Sequence, residues 1–460
     1  MGRVSVKQAS VLVVATVLAV MMTGCALVDN SSNNNNDNNN NKNGCSDCVN
    51  PNGDITSVNH IIFMAQENRS FDTYFGHLND YRATQGFPQD VDGMPANASN
   101  PADDGSQIQA FHFNTTCIEN TSAAWATSHI NFNRFNPESD TPTMDGFVVE
   151  AAAAAKFQGS SDTIGRRAMG FYTADDLISH YFLASQFALS DRWFAPAPIE
   201  TEPNRMYLVA ATSAGHAHAP TSSVNVPTIF DRLQQAGITW KIYISDPTLD
   251  TEMGFFTGFL TKYKDHFFSI AQYKSDLQTG NLPQVAYIDP GFQIGADEHP
   301  GVGNNIQTGA AFSTALITAL MQSPVWKDSV FIMVFDEHGG LYDHVPSPTN
   351  VPSPDGITPR DLFTGTDADP QGNFTRYGFR IPNLVVSPFT KKHYVSHTIT
   401  DSTAILRFIE KRFNLTPLTV RDALAMDMTE FFDFKRVPWA TPPTVPEQPV
   451  QAGRCTTTLP

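Results

Sequence analysis

Basic side chains are scarce in this sequence of 460 residues, which has 29 Lys and Arg against 46 Asp and Glu and a formal net charge of −17. Lys and Arg hold the phosphate backbone of nucleic acids, so this balance argues against a nucleic-acid partner. An anionic surface still permits a phosphate-ester substrate. Any positive charge that stabilises a bound phosphate must then be local, such as a metal ion or a helix terminus.

A long apolar run is also missing, and we find no internal repeat. The stretch Ala9 to Met22 is shorter than the about 20 residues that a membrane-spanning helix needs. It follows two basic residues and ends at Thr23-Gly24-Cys25, which looks like a lipobox. We therefore predict a signal peptide of the lipoprotein type over residues 1–24, and a lipid anchor on Cys25 that holds the exported protein at the membrane. Ordinary signal-peptidase cleavage, which would release a secreted protein, is the alternative.

Cysteine is rare as well, with 5 residues in the chain. Export implies an oxidising compartment, in which disulfides persist. Apart from Cys25, the remaining cysteines allow two disulfides in any of three connectivities; they are Cys45, Cys48, Cys117 and Cys455. The Cys45–Cys48 spacing resembles a redox or metal motif, but no second CxxC and no His pair accompanies it. We interpret this pair as part of a structural disulfide.

Composition divides the rest of the chain into three parts. Residues 25–57 are rich in Asn and have almost nothing to bury, so we predict a disordered linker between Cys25 and the folded body. Residues 58–440 form the predicted catalytic domain. Residues 441–460 are a proline-rich tail that we expect to run over the surface, where Cys455 pins it.

Short apolar runs alternate with helical patterns in the central part of the chain. The predicted strands are Val58–Met64, Thr239–Ile244, Gln284–Ile288, Ser329–Phe335 and Arg380–Val386. The predicted helices are Asp175–Phe187, Pro203–Thr212, Thr228–Gln235, Ala310–Met321 and Ser402–Arg412. This alternation predicts an α/β/α sandwich with a mostly parallel central sheet. Ligands of such sheets bind beyond the carboxyl ends of the strands.

Carboxylates follow two of these strands. Glu67 and Asn68 come after the first strand, and Asp336 and Glu337 come after the fourth. In one parallel sheet these groups would converge at one edge, where they would repel one another unless a cation neutralised them. The oxygen ligands suit a divalent metal ion such as Ca, Mg or Mn, without excluding zinc or iron. Acidic residues after a strand can also cap the next helix, but we do not favour that interpretation for both pairs together.

Thr201 lies near the start of a predicted helix. Pro203 fits the first turn, so Thr201 or Glu202 is expected at the N-cap. A hydroxyl in this position could also act as a nucleophile beside a metal ion, with the free amides of the helix holding phosphate oxygens. The properties of the residues alone favour the cap.

Among the 13 histidines, His129, His299 and His344 are candidates for a ligand or acid/base role, but each alone is more often a core or surface residue. His216 and His218 have the spacing of a metal pair, although a loop position makes this signal weak.

One segment carries a longer signature. Gln66 to Gly76 resembles the motif of the bacterial phospholipase C and acid phosphatase family, a branch of the alkaline-phosphatase-like superfamily. The similarity extends from residue 58 to about residue 415 and includes further motifs in the family's order; these are Met144–Phe147, Thr201–Arg205, Glu298–Pro300, Asp336–Gly340 and Tyr342–Pro346. The resemblance implies an alkaline-phosphatase-like fold and metal-assisted phosphoryl transfer through a covalent phospho-enzyme.

The resemblance also implies roles for single residues. Thr201 becomes the nucleophile and bridges to the metal ion, which reverses the preference for a cap because the two roles are compatible. The implied metal ligands are Glu67, Asn68, Asp336 and Glu337, together with Thr201. His129 and His299 match histidines that bind phosphate oxygens or protonate the leaving group, and His344 is a weaker match.

Two positions depart from the phospholipase pattern. Relatives usually carry another histidine in the stretch filled here by Thr121–Ala124, and His338 stands where relatives vary. These departures bear on the substrate rather than on the reaction. We predict a metal-dependent hydrolase of the phospholipase C type that cleaves phospholipid phosphodiesters through a phosphothreonine. The alternatives are an acid phosphatase acting on phosphomonoesters and a non-catalytic surface binding protein with the same fold.

Overall fold

A computed structural model of the protein describes residues 52–245, 251–301, 303–366, 368–456 and 459. The predicted signal peptide, Cys25 and the Cys45–Cys48 pair lie outside these residues. A 3₁₀ helix at Ile55–Ser57 is capped by Asp54, and Ile55 packs against the core. The last residues of the predicted linker therefore belong to the folded body. Among the described residues, no helix is long and apolar enough to cross a membrane.

In the part of the chain that the structure describes, the core is a sheet of eight strands. In chain order they are β1 His60–Gln66, β2 Ala188–Ser190, β3 Trp240–Ile244, β4 Phe267–Ser269, β5 Val285–Asp289, β6 Ser329–Phe335, β7 Asn383–Val386 and β8 Tyr394–Ser396. The spatial order is β8-β2-β7-β6-β1-β5-β3-β4. Strand β7 runs antiparallel to both of its neighbours, and the other pairings are parallel. Among the described residues, three two-stranded pairings lie outside this sheet; they are Ser99–Pro101 with Gln107–Gln109, Phe111–His112 with Gly170–Phe171, and Trp193–Phe194 with Thr400–Asp401.

The register of the sheet places the ends of three strands side by side. Strand β6 is buried at every residue and β1 at all but the first, as expected for parallel strands covered on both faces. Gln66 pairs with Phe335 across β1 and β6, and Met64 pairs with Ile288 across β1 and β5. The residues that follow β1, β5 and β6 therefore emerge at the same edge.

Helices cover both faces of the sheet. They are α1 Phe71–Phe75, α2 Leu78–Thr84, α3 Trp125–Phe132, α4 Phe147–Gln158, α5 Ile178–Gln186, α6 Thr201–Ala210, α7 Ile229–Ala236, α8 Phe259–Lys262, α9 Ile270–Thr279, α10 Ile306–Met321, α11 Thr403–Phe413 and α12 Val420–Leu424. Helix α10 packs against α5 and α9 in one layer, and α6 packs against α7 and α11 in the other. The predicted α/β/α sandwich with a mostly parallel sheet is confirmed.

All five predicted strands and all five predicted helices are present, with boundaries shifted by a few residues. Helix α10 begins earlier than predicted because the side chain of Asn305 caps it by accepting from the Gln307 amide at 2.9 Å. The sequence pattern did not indicate β2, β4 and β8, which have three residues each. Segments this short carry too little periodicity to detect.

A disulfide joins Cys117 to Cys455. It holds the proline-rich tail to the folded body, as predicted for Cys455. The tail also inserts the buried Gln448, whose Nε2 donates to the backbone oxygen of Asp176 at 2.8 Å. Arg454 pairs with the carboxylate of the same Asp176 at 2.6 Å.

Candidate active site

The loops that follow β1 and β6 are joined by hydrogen bonds. One carboxylate oxygen of Asp336, Oδ1, accepts from the backbone amides of Asn68 at 2.9 Å and of Glu337 at 2.7 Å. The Arg69 amide donates to the Glu337 backbone oxygen at 3.0 Å. The structure thus brings together the residues predicted from the two strand ends.

The close approach of these loops depends on a glycine. Asn68 has a φ of 57°, and Gly339 has a φ of 66°. A Cβ atom on Gly339 would lie 2.4 Å from the Asn68 backbone oxygen. Only glycine meets both demands, since it tolerates a left-handed backbone and adds no atom to the contact.

Thr201 is the first residue of α6, and Glu200 occupies the N-cap without a side-chain capping bond. The prediction that Thr201 or Glu202 caps this helix is therefore wrong. The Thr201 hydroxyl turns instead toward the β1 loop, with Oγ1 3.3 Å from Glu67 Oε2 and 3.2 Å from Asn68 Oδ1. The hydroxyl therefore lies at the positive end of a helix dipole and is bonded to the two residues that follow β1.

Oxygen atoms crowd around the Asn68 side chain. Its Oδ1 lies 3.2 Å from Thr201 Oγ1, 3.2 Å from Glu67 Oε2 and 2.5 Å from Glu337 Oε1. Turning the amide over would place a donor against these oxygens and give His299 Nε2 an acceptor at 3.2 Å. In that second orientation the amide itself relieves the repulsion between the oxygens, and in the first a bound cation would do so. This donor set fits a divalent cation.

The charges of the carboxyl groups around Asn68 also favour a bound cation. Burial, followed by the charge of Asp336, raises the pKa of both Glu67 and Glu337 well above the usual range. The second oxygen of Asp336, Oδ2, is buried and has no hydrogen-bond partner in the described part of the chain. A bound cation would favour the ionised form of both glutamates.

Arg205 is a site residue whose role was not predicted from the sequence. Its Nη2 lies 2.8 Å from Glu67 Oε1, and its Nε lies 3.5 Å from Asp336 Oδ2. Its Nη1 lies 3.9 Å from both Glu252 Oε2 and Asp289 Oδ1. The available signal was its position four residues after Thr201, which places both side chains on one face of α6.

A cleft of about 290 Å³ opens beside Thr201 and His299. Its walls are rich in carboxyl groups, contributed by Glu67, Glu202, Glu252, Asp289 and Asp297. Phe255 and Phe292 add aromatic surface, and Arg205 is the one basic side chain of Lys or Arg type among the described residues that line it.

His299 is brought to the cleft by a constrained loop. The preceding Glu298 has a φ of 67°, and its side chain is held by Gln66 Nε2 at 2.8 Å and the Tyr74 hydroxyl at 2.7 Å. The His299 ring stands edge-on to Phe292, with the ring centroids 5.0 Å apart. Burial lowers the pKa of His299, so the imidazole is neutral near pH 7.

His129 has a different environment. It is 3% exposed on α3, and its Nδ1 lies 2.7 Å from the Trp125 backbone oxygen. Burial lowers the pKa of His129 to about 4. No described contact joins it to Thr201, and its assigned role stays a prediction.

His344 belongs to a separate cluster. Its Nδ1 lies 2.8 Å from Asp72, and the Arg380 guanidinium pairs with Asp72 at 2.9 Å and with Asp343 at 2.8 Å. Among the described residues, Asp72, Asp343 and His344 are close enough to hold a metal ion. The Arg380 guanidinium already pairs with both carboxylates, so we assign this cluster a structural role. The catalytic role of His344 remains a prediction, since no contact in the described part of the chain joins it to Thr201.

His216 and His218 each pair with a different carboxylate. His216 Nδ1 lies 2.8 Å from Asp361, and His218 Nε2 lies 2.8 Å from Asp369. These partners account for both rings without a shared metal ion.

Comparison with known proteins identifies the class to which this fold and this site belong. Residues 58–416 match the Phosphoesterase family. The chain therefore belongs to the phosphoesterase family, and it is a hydrolase that acts on phosphoester bonds. The resemblance seen in the motifs is confirmed.

Curated relatives carry phospholipase names. Phospholipase C B of Mycobacterium tuberculosis is 29% identical over 445 residues, which cover 85% of this chain and 81% of that protein. Non-specific phospholipase C1 of Arabidopsis thaliana is 30% identical over 412 residues, which cover 83% of this chain and 72% of that protein.

Solved structures resemble the chain weakly. A protein in the alkaline phosphatase superfamily from Vibrio parahaemolyticus matches 76% of this chain and 78% of its own, with 12% identity and a TM-score of 0.35. A likeness at this level adds no evidence about function.

Proposed function

We propose that this protein is a metal-dependent phosphodiesterase of the phospholipase C type, with Thr201 as its nucleophile. The observation that carries the proposal is the position of the Thr201 hydroxyl, 3.3 Å from Glu67 and 3.2 Å from Asn68 at the start of α6. The names of the mycobacterial and plant relatives support the substrate class.

Glu67, Asn68, Thr201, Asp336 and Glu337 would hold the divalent cation. When bound, this cation supplies Lewis-acid charge that lowers the pKa of the Thr201 hydroxyl and offsets negative charge on the phosphate oxygens. The all-oxygen donor set suits Ca, Mg or Mn.

The side chains of the protein provide the remaining steps. Thr201 Oγ1 forms a bond to phosphorus as the bond from phosphorus to the leaving alcohol breaks, and the free amides of α6 hold phosphate oxygens. His299 lines the cleft as a neutral imidazole; it would take up the proton that the Thr201 hydroxyl releases and pass it to the leaving alcohol. Water then hydrolyses the phosphothreonine, which releases the phosphorylated head group and restores the hydroxyl.

Replacing the nucleophile tests this assignment. Thr201→Ala should keep the fold and lower kcat by about a thousandfold or more, because no hydroxyl remains to attack. Thr201→Ser keeps a hydroxyl and should retain measurable turnover. Both variants are compared on a chromogenic phosphorylcholine diester, with circular dichroism as the control for folding. Near-native turnover by Thr201→Ala would exclude Thr201 as the nucleophile.

Parallel assays decide between the competing functions. A phospholipase C should cleave the diester, and strict preference for a phosphate monoester would favour an acid phosphatase. Elemental analysis should find a stoichiometric metal ion. A protein without metal and without activity on either ester would be a non-catalytic binding protein.

We further propose that the protein is exported and held at the cell envelope by a lipid on Cys25. The leader pattern supports this, as does the Cys117–Cys455 disulfide, since disulfides persist in oxidising compartments. Cys25→Ser should move the protein from the membrane fraction to the soluble fraction. An unchanged distribution would count against the lipid anchor.

A further inference from the structure

Glu298 is a buried carboxylate that the proposed steps do not use. It precedes His299, which lines the cleft, but its own side chain is 0% exposed. Oε1 accepts from Gln66 Nε2 at 2.8 Å, and His180 Nε2 lies 3.1 Å from the same oxygen. Oε2 accepts from the Tyr74 hydroxyl at 2.7 Å. Stability alone does not require a carboxylate here, since an apolar side chain of similar size often serves a fold as well as a buried charge with its partners.

The backbone of Glu298 is held as firmly as its side chain. Its φ of 67° lies in the left-handed region, which residues with a Cβ rarely adopt and which persists only where the surrounding contacts impose it. Nε and Nη2 of Arg69 both donate to the Glu298 backbone oxygen, at 3.2 Å and 2.7 Å. Helix α10 packs so closely that a Cβ on Gly309 would lie 2.3 Å from Glu298 Cγ. We call these contacts the clamp around Glu298; its members are Gln66, Arg69, Tyr74, His180 and Gly309.

The direction of the His299 ring depends on this turn. Nδ1 of His299 is buried, and no side chain in the described part of the chain bonds to it. In enzymes with a catalytic triad, a carboxylate on that nitrogen orients the imidazole that moves the proton. Here the backbone sets the direction, because the His299 amide donates to Asp297 Oδ1 at 3.1 Å and the clamp fixes the peptide bond that precedes His299.

We propose that Glu298 is a positioning residue for proton transfer by His299. The clamp holds the left-handed turn that presents the imidazole to the cleft beside Thr201, so the ring is already ordered when the leaving alcohol needs its proton. Glu298 acts through the backbone of His299 and takes no proton itself. This inference rests on the proposed phosphodiesterase function and adds a residue that serves the proton-transfer step.

Leaving groups of different acidity test the proposal. A proton from His299 matters more to phenol than to p-nitrophenol, which is the stronger acid and leaves readily as an anion. Glu298→Ala should therefore lower kcat on the order of a hundredfold on phenyl phosphorylcholine, but only about tenfold on p-nitrophenyl phosphorylcholine. KM should change little on both esters, because the Glu298 side chain is buried away from the cleft. Glu298→Gln keeps the shape and one acceptor oxygen, so it should recover much of the loss.

A double variant shows whether Glu298 acts through His299. His299→Ala should produce the same dependence on the leaving group. Adding Glu298→Ala to it should cause little further loss, since the effects of residues that act as a unit are not additive. Glu410→Ala is the matched control, because Glu410 is another buried carboxylate, 1% exposed, and lies on α11. This control should leave the ratio of the two kcat values unchanged.

Several outcomes would overturn the proposal. An equal loss on both esters in folded Glu298→Ala, or an additive loss in the double variant, would give Glu298 a structural role. Loss of a bound metal ion from Glu298→Ala, measured by elemental analysis, would show that the clamp supports the β1 loop through Gln66 instead.

A second variant covers the case in which Glu298→Ala does not fold. Tyr74→Phe removes one hydroxyl of the clamp and should change the ratio of the two kcat values severalfold in the same direction; an unchanged ratio overturns the proposal. Failure of the native protein to cleave either ester would contradict the proposed function instead.

Discussion

Arg205 carries the positive charge for four buried carboxyl groups; they are Glu67, Glu252, Asp289 and Asp336. Arg205→Met should lower the free energy of unfolding by about 3 kcal/mol or more, because it leaves buried charges without a partner. The deficit should shrink as the pH falls, since burial raises the pKa of Glu67 and of Asp289, and both take up protons more readily in the folded than in the unfolded protein. Urea unfolding of chelator-treated protein near pH 7 and pH 5 measures both effects. Arg205→Lys keeps one positive charge and should lose less unfolding free energy than Arg205→Met. A deficit that is the same at both pH values would show that lost packing, and not lost charge, is the cause.

At the scale of elements, the loop after β6 meets the loop after β1 through Gly339. Gly339→Ala should lower the free energy of unfolding by about 1–2 kcal/mol, because alanine is strained in a left-handed backbone. It should also displace Asn68, because the new Cβ would meet the backbone oxygen of that residue. Gly356→Ala is a matched control, since Gly356 has a φ of 71° and open space around its Cβ position. We expect similar backbone strain in both variants and a large loss of kcat only in Gly339→Ala. Thermal unfolding and diester turnover separate the two effects, and equal turnover in the two variants would show that the site tolerates movement of this loop.

At the scale of the whole molecule, the Cys117–Cys455 disulfide links positions 338 residues apart. Replacing both cysteines by serine should lower the free energy of unfolding by about 4 kcal/mol, since the crosslink restricts a very long loop in the unfolded chain. Gln448→Ala removes a non-covalent contact of the same tail and should lower the free energy of unfolding by only about 1 kcal/mol. Turnover should persist in both, because neither cysteine lines the cleft. Denaturant unfolding measures the free energy that each variant loses. Equal losses would mean that the tail stabilises the fold through its non-covalent contacts alone.

The sequence by itself determined the sandwich and the meeting of the carboxylates that follow β1 and β6. Long buried strands and amphipathic helices leave a periodic signal, and the carboxyl ends of parallel strands share one edge, so the pattern alone places Glu67 and Asp336 together. The sequence was less informative about local geometry. The position of Thr201 one residue inside α6, with Glu200 at the cap, depends on how the preceding loop meets the sheet.

Only the tertiary structure decided which partners the remaining charged groups have. Arg380 meets His344 and Asp72, and Arg205 meets Glu252 and Asp289, across large separations in the chain. No periodicity encodes such pairs, because each arises where two loops or helices happen to pack over the same strand ends. The acidic and aromatic wall beside Thr201 was therefore not predictable, although each of its residues was visible in the sequence. Its chemistry depends on burial, which belongs to the folded protein alone.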